Sequence, residues 1–142
     1  MSSCPFCEIA SGESRGDLVL RTQSVFVVPA LKQRRLNLGH MLVLPVSHVT
    51  RLLDVDLPLL QELYSIAGRV SMALRQAFSA TGATLFQNDN APDQHLSHLH
   101  IHVVPRHEGD GFRMPDPRIE EVPYEERRAQ AAALRGILDA TG

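Results

Sequence analysis

Five of the seven histidines in this 142-residue chain fall between His95 and His107. Within that stretch His98, Leu99, His100, Ile101 and His102 alternate imidazole and aliphatic side chains without a break. Side chains of an extended strand point to opposite faces in turn, so the three histidines share one face, about 6.7 Å apart per step, while Leu99, Ile101 and Val103 line the other. Two chemistries suit such a row. A neutral imidazole, with a reference pKa of about 6.5, can attack an electrophile without a separate strong base while its neighbours hold the developing charge. Alternatively, two imidazoles spaced His-x-His can chelate one zinc and leave a position open for water. A solvated or core-satisfied cluster is the reading without chemistry, and it gives no reason for the strict register.

A second group of soft ligands lies at Cys4-Pro5-Phe6-Cys7. The C-x-x-C spacing is shared by zinc half-sites and redox motifs. A redox pair needs its first cysteine at a helix N-terminus in a βαβ context, which is not predicted here. A zinc site needs two further ligands, and the histidines are available.

Positioning these residues requires a framework, and its elements are readable. Asp17 to Pro29 splits into two short apolar strands around Thr22-Gln23-Ser24, a hairpin signal. Gly39 precedes a β-rich run from His40 to Leu44 that Pro45 ends. From Pro58 to about Ala80, Leu59, Leu63, Ile66, Val70, Leu74 and Ala77 recur at three- and four-residue spacing, predicting an amphipathic helix with Asp56 as N-cap and those residues as core. Ala83 to Asp89 and His98 to Pro105 are the fourth and fifth strands, and a terminal helix begins near Tyr124. Strands, helix, strands, helix argue an α+β fold with a five-stranded, mainly antiparallel sheet. One domain is expected over residues 1–142, its C-terminal helical extension beginning at about 122.

Composition narrows the function classes. Hydrophobic residues make 44% and charged residues 21% of the chain, an ordinary globular balance. No apolar run approaches a membrane span, and the N-terminal segment has no secretory pattern, so the expected location is cytoplasmic, with reduced cysteines. Formal net charge is −2, and apart from Lys32 to Arg35 and the Arg127-Arg128 pair the basic residues are scattered. No nucleic-acid partner and no membrane partner is therefore expected. Charge is silent on a small phosphorylated ligand, which a few backbone N–H groups can hold.

His98-Leu99-His100-Ile101-His102-Val103-Val104 resembles the signature of the histidine triad (HIT) family. So do Cys4 to Glu13, Gly39 to Val49, Gln94 ahead of the triad, and Pro105 to Phe112 after it. The resemblance implies a HIT-like fold and a nucleotide hydrolase or transferase that attacks the α-phosphorus of a nucleoside phosphoramidate or dinucleoside polyphosphate. His100, by position, would be the nucleophile forming a covalent nucleotidyl-histidine. His102 and His40 would complete the catalytic cluster. Gln94 and Asn88, with Gln87 as neighbour in register, would bind substrate, and His95 would lie near the leaving group. Many members hold structural zinc, and the corresponding ligands here are Cys4, Cys7, His48 and His98, with His95 as a substitute for His98. A homodimer is also implied, with the long helix after Asp56 as its interface.

Two departures from the family pattern stand out. No acidic residue lies between Asp17 and Asp54, where relatives place one for the ribose hydroxyls, so Lys32, Gln33 or Asn37 is left to contact substrate. The usual Gly before Gln94 is Asp93, whose carboxylate would repel a phosphate. Competing functions are a nucleotide-binding signalling module with little turnover and a metal hydrolase built on all three triad histidines.

Overall fold

The computed structural model describes residues 4–14, 16–92, 94, 96–113 and 119–140. The predicted hairpin is β1 (Leu20–Arg21) and β2 (Val25–Pro29), followed by β3 (Lys32–Gln33) and β4 (Met41–Pro45). Next come β5 (Gly82–Phe86), β6 (Ile101–Arg106) and β7 (Glu120–Glu121). Three helices accompany them among the described residues: α1 (Pro5–Ser11), α2 (Leu57–Phe78) and α3 (Tyr124–Ala140). The main sheet has five strands in the order β1-β2-β4-β6-β5, and every pairing in it is antiparallel. β3 and β7 form a separate two-stranded ribbon.

The sheet is covered on both faces, which is why β2 and β4 read as continuous apolar runs. On one face Val25, Val27, Met41, Val43, Ile101 and Val103 pack against Leu63, Ile66, Val70 and Leu74 of α2 and Leu134 of α3. The α2 stripe is the predicted one, with Leu59 and Ala77 partly buried at its ends. Asp56 caps the helix by accepting from the Leu59 N–H at 2.9 Å. On the other face Phe26, Val28, Leu42 and Leu44 pack against Phe6 and Ala10 of α1.

α1 was not among the predicted elements. Its signals are Pro5 at the first helical position and Gly12 at the C-terminal end, where φ is +84°. Seven residues are too few to display a helical period above noise. Cys4 is its N-cap residue, so the first cysteine does sit at a helix start, although the element that follows is an antiparallel hairpin and no βαβ unit.

Candidate active site and metal centre

The register of β6 assembles the histidines. Leu42 of β4 and Phe86 of β5 both stand opposite His102. His40 enters β4 directly after Gly39, whose φ is +107° and where any Cβ would lie 2.7 Å from the Phe78 ring. Glycine is therefore required there, and it brings His40 Nε2 to 2.9 Å from His102 Nδ1, one nitrogen donating and the other accepting. Phe86 stacks on the His102 ring at 4.1 Å between centroids with planes 10° apart. The His100 and His102 rings are 4.9 Å apart.

His98 and His100 precede the regular strand, which starts at Ile101 and not at His98. The reason is local: the Leu99 N–H donates to the Val49 carbonyl at 2.7 Å, beyond the end of β4, so this stretch pairs outside the ladder. Alternation survives nonetheless. Leu99, Ile101 and Val103 belong to the helix-side core, while His100 and His102 line a cavity on the opposite face.

His100 is 9% exposed, and its Nδ1–H donates to the His98 carbonyl at 2.8 Å. A carbonyl only accepts, so this contact selects the tautomer that leaves the lone pair on Nε2. Burial lowers the pKa of His100, partly offset by that backbone hydrogen bond. Burial, reinforced by the nearby His100, brings His40 down to about 4. His102 falls to about 2, through burial first and then His40 and His100. The cluster is thus uncharged at neutral pH, the state in which an imidazole is a nucleophile.

His98 is fully buried and oriented the other way round. Its Nε2–H donates to the Pro45 carbonyl at 2.8 Å, which leaves Nδ1 facing the Cys4 and Cys7 sulfurs at 3.4 and 3.5 Å. His48 Nδ1 lies 3.3 Å from Cys7 Sγ. The donor atoms of Cys4, Cys7, His48 and His98 lie within 4.8 Å of one another. Tetrahedral zinc, with Zn–S of about 2.3 Å and Zn–N of about 2.05 Å, has a sulfur–nitrogen edge of about 3.5 Å, so the four side chains fit that ion. Without a cation the Cys7 thiol is pushed up to about 11, by burial and then by Cys4. A dication held by these four side chains would remove that penalty by favouring the thiolates. The group contains neither His100 nor His102.

The cavity has a volume of about 730 Å³. Asn88 and Gln94 are in its wall with His40, His100 and His102. Gln94 also braces its own loop, its Oε1 accepting from the Asn90 N–H at 2.5 Å and its Nε2 donating to the Leu96 carbonyl at 2.7 Å. Gln87 is not in the wall, and its buried Nε2 has no hydrogen-bond partner among the described residues. His95 and Asp93 lie outside the described residues. Gln33 is framework: its side chain donates to the Ala30 carbonyl and to Gln130, and accepts from the Gly39 N–H. Asn37, buried, donates to the Pro105 carbonyl and to Asp110, yet like Lys32 it lines the cavity.

Comparison with known proteins agrees with this geometry. The HIT domain family model matches residues 11–109. The chain belongs to the HIT domain family. Among relatives of this HIT protein, the protein hit of Bacillus subtilis is 29% identical over 112 residues, covering 78% of this chain and 76% of the relative. The bis(5′-adenosyl)-triphosphatase of Dictyostelium discoideum is 28% identical over 137 residues, covering 87% and 91% of the two chains. A zinc-bound histidine triad family protein from Mycobacterium smegmatis superposes with a TM-score of 0.83 at 28% identity, covering 99% of this chain and 98% of that one.

Sequence reasoning overlooked two rings of this HIT protein that shape the site. Phe86 reaches His102 through a β5–β6 register that no local pattern encodes. Phe6 packs its ring 5.7 Å from His98 and 5.4 Å from His100, so it stands against the Cys/His cluster and the cavity histidines at once. Its position between two cysteines was the available signal. No helix among the described residues is long and apolar enough to cross a membrane.

Proposed function

We propose that this HIT protein is a nucleotide hydrolase or transferase in which His100 Nε2 attacks the α-phosphorus of a nucleoside phosphoramidate or dinucleoside polyphosphate. A P–N bond forms to the imidazole and the P–N or P–O bond to the leaving group breaks, the leaving group taking a proton. Water then cleaves the nucleotidyl-histidine, releasing the nucleoside monophosphate and restoring the ring. The observation that carries this reading is the Nδ1–H contact from His100 to the His98 carbonyl, which turns a lone pair toward the cavity.

His102 and His40 hold phosphoryl oxygens and relay a proton across their 2.9 Å contact. Asn88 and Gln94 supply further donors from the wall, with Gln87 as the neighbour of Asn88 in sequence. His95 serves the leaving group. Zinc at Cys4, Cys7, His48 and His98 is structural, a closed set with no open position. The zinc-bound mycobacterial neighbour supports that assignment, and the Dictyostelium triphosphatase supports the dinucleoside polyphosphate class.

Residues 1–142 act as one domain in the cytoplasm, as a homodimer through α2, whose Leu57 and Tyr64 are exposed. Rapid-quench mass spectrometry with an adenosine phosphoramidate or diadenosine triphosphate is the test. A nucleotidyl adduct on a peptide containing His100, absent in His100→Ala, is expected. Turnover that leaves no adduct and survives His100→Ala would overturn the mechanism, and nucleotide binding without turnover would select the signalling module.

A further inference from the structure

Phe86 is an aromatic residue that the folded core does not use. It ends β5, the edge strand of the main sheet, and its side chain is half-buried. Neither the apolar cluster beneath α2 nor the one beneath α1 includes it. Its aromatic contacts among the described residues are with histidines alone, His102 at 4.1 Å and His40 at 6.4 Å between ring centroids. A ring placed to stabilise the fold would sit among aliphatic side chains of the core; this one packs on imidazoles.

Strand register puts it there. Phe86 stands directly opposite His102 in the β5–β6 ladder, and the side chains of an opposed pair emerge on one face of the sheet. Two residues back, Thr84 opposes Val104 on the same face, and the Thr84 hydroxyl accepts from Arg106 at 2.9 Å, which ties the edge strand to β6 at that point. Phe86 and His102 both line the cavity.

His102 needs such a neighbour. The 2.9 Å contact between its Nδ1 and His40 Nε2 is the only hydrogen bond of its side chain among the described residues. One hydrogen bond fixes the direction of one ring atom, and the χ2 torsion of a histidine is otherwise broad. The His40 and His100 rings are inclined at 54° and 62° to the His102 ring, so neither lies flat against it. Phe86 is within 10° of parallel, and the imidazole cannot turn about χ2 without lifting off the phenyl face. Hydrogen bond and stack together set the direction of Nε2, the nitrogen that His40 does not engage.

We propose that Phe86 is a positioning residue: by stacking on His102 it holds Nε2 of that imidazole toward the cavity during phosphoryl transfer, and it contributes to turnover through His102 rather than by binding substrate. The inference rests on the hydrolase reading above and adds a residue to its machinery. An aliphatic side chain of similar size fills the space but offers no flat face, so the ring and not its bulk carries the role.

Phe86→Leu and Phe86→Tyr in the full chain separate ring from bulk. Steady-state kinetics with an adenosine phosphoramidate and with diadenosine triphosphate give kcat and KM, and NMR of the imidazole protons reports the stack through its ring-current shift at His102. Phe86→Leu lowers kcat about tenfold with KM within about twofold of wild type, and the shift at His102 is lost. Phe86→Tyr restores kcat to within about threefold of wild type and keeps the shift. In a His102→Ala background Phe86→Leu changes kcat by less than about twofold, because the ring it positions is gone. Unchanged kcat in Phe86→Leu, an equal loss in both variants, or a full further loss in the His102→Ala background overturns this inference alone. So does a rise in KM with kcat intact, which would make Phe86 a substrate contact, and so does failure of Phe86→Leu to fold, which would return the ring to the core. Absence of turnover in the wild-type protein overturns it together with the hydrolase reading.

Discussion

His98 and His100 are the same residue type, two positions apart and both largely buried, yet their rings are set for opposite tasks. His98 gives its Nε2 proton to the Pro45 carbonyl and turns Nδ1 to two sulfurs. His100 gives its Nδ1 proton to the His98 carbonyl and turns Nε2 to the cavity. One backbone acceptor per ring decides the difference: whichever nitrogen is captured, the other is left with its lone pair free, toward the sulfurs in His98 and toward the cavity in His100. The two groups also share structure, because the residue whose side chain faces the two cysteine sulfurs offers its main-chain oxygen to the His100 ring.

The strongest way to break this contrast is to delete each ring in turn. His100→Ala lowers kcat/KM by ~10³-fold or more, as expected for loss of a nucleophile, with metal content unchanged. His98→Ala retains the residue-98 carbonyl that orients His100, so it lowers bound zinc sharply but kcat/KM of the folded fraction by less than about 100-fold. Equal activity losses in the two variants, with metal counted by atomic absorption, would erase the distinction.

The aliphatic face supplies the next contrast. Ile101, 1% exposed, lies between the two cavity-lining histidines, His100 and His102, in sequence but points into the α2 core. Ile101→Ala therefore costs about 2–5 kcal/mol in denaturant unfolding while KM stays near wild type. A changed KM without lost stability would place this side chain in the cavity.

The smallest expected effect is on pH. His40 has its pKa lowered from 6.5 to about 4 in the fold, and His102 is shifted the same way. Between about 4 and 6.5 the unfolded chain then binds protons that the folded chain refuses. Stability accordingly falls as pH drops through 6.5, and this contribution stops falling near 4. His40→Asn should show a shallower loss of melting temperature between pH 7 and pH 5 than wild type, the Cys4, Cys7, His48 and His98 group being common to both. An unchanged slope would mean that His40 is not held neutral by burial.

Much of this molecule was legible because its signals are local. The α2 stripe, its Asp56 cap, the hairpin at Thr22 and the alternation around the triad each depend on neighbours a few residues away, and each stands close to where it was read. Boundaries slipped where long-range pairing intervened: β6 begins at Ile101 because Leu99 is engaged by Val49. α1 and the β3–β7 ribbon were missed, one for its shortness and the other because two-residue strands have no period to detect. The family resemblance, not periodicity, supplied the ligand set that the fold then brought within 4.8 Å.

Residue type and spacing alone determined that three imidazoles would share a side, that aliphatic residues between them would be interior, and that α2 would bury one stripe, since these follow from backbone periods of two and 3.6. Which nitrogen of each imidazole is free, that Phe86 stacks on His102, and that cations from four separate segments line one cavity were decided by strand register and helix placement. Those depend on contacts across 60 or more residues, as between His40 and His102, and on carbonyls whose direction no side-chain pattern records.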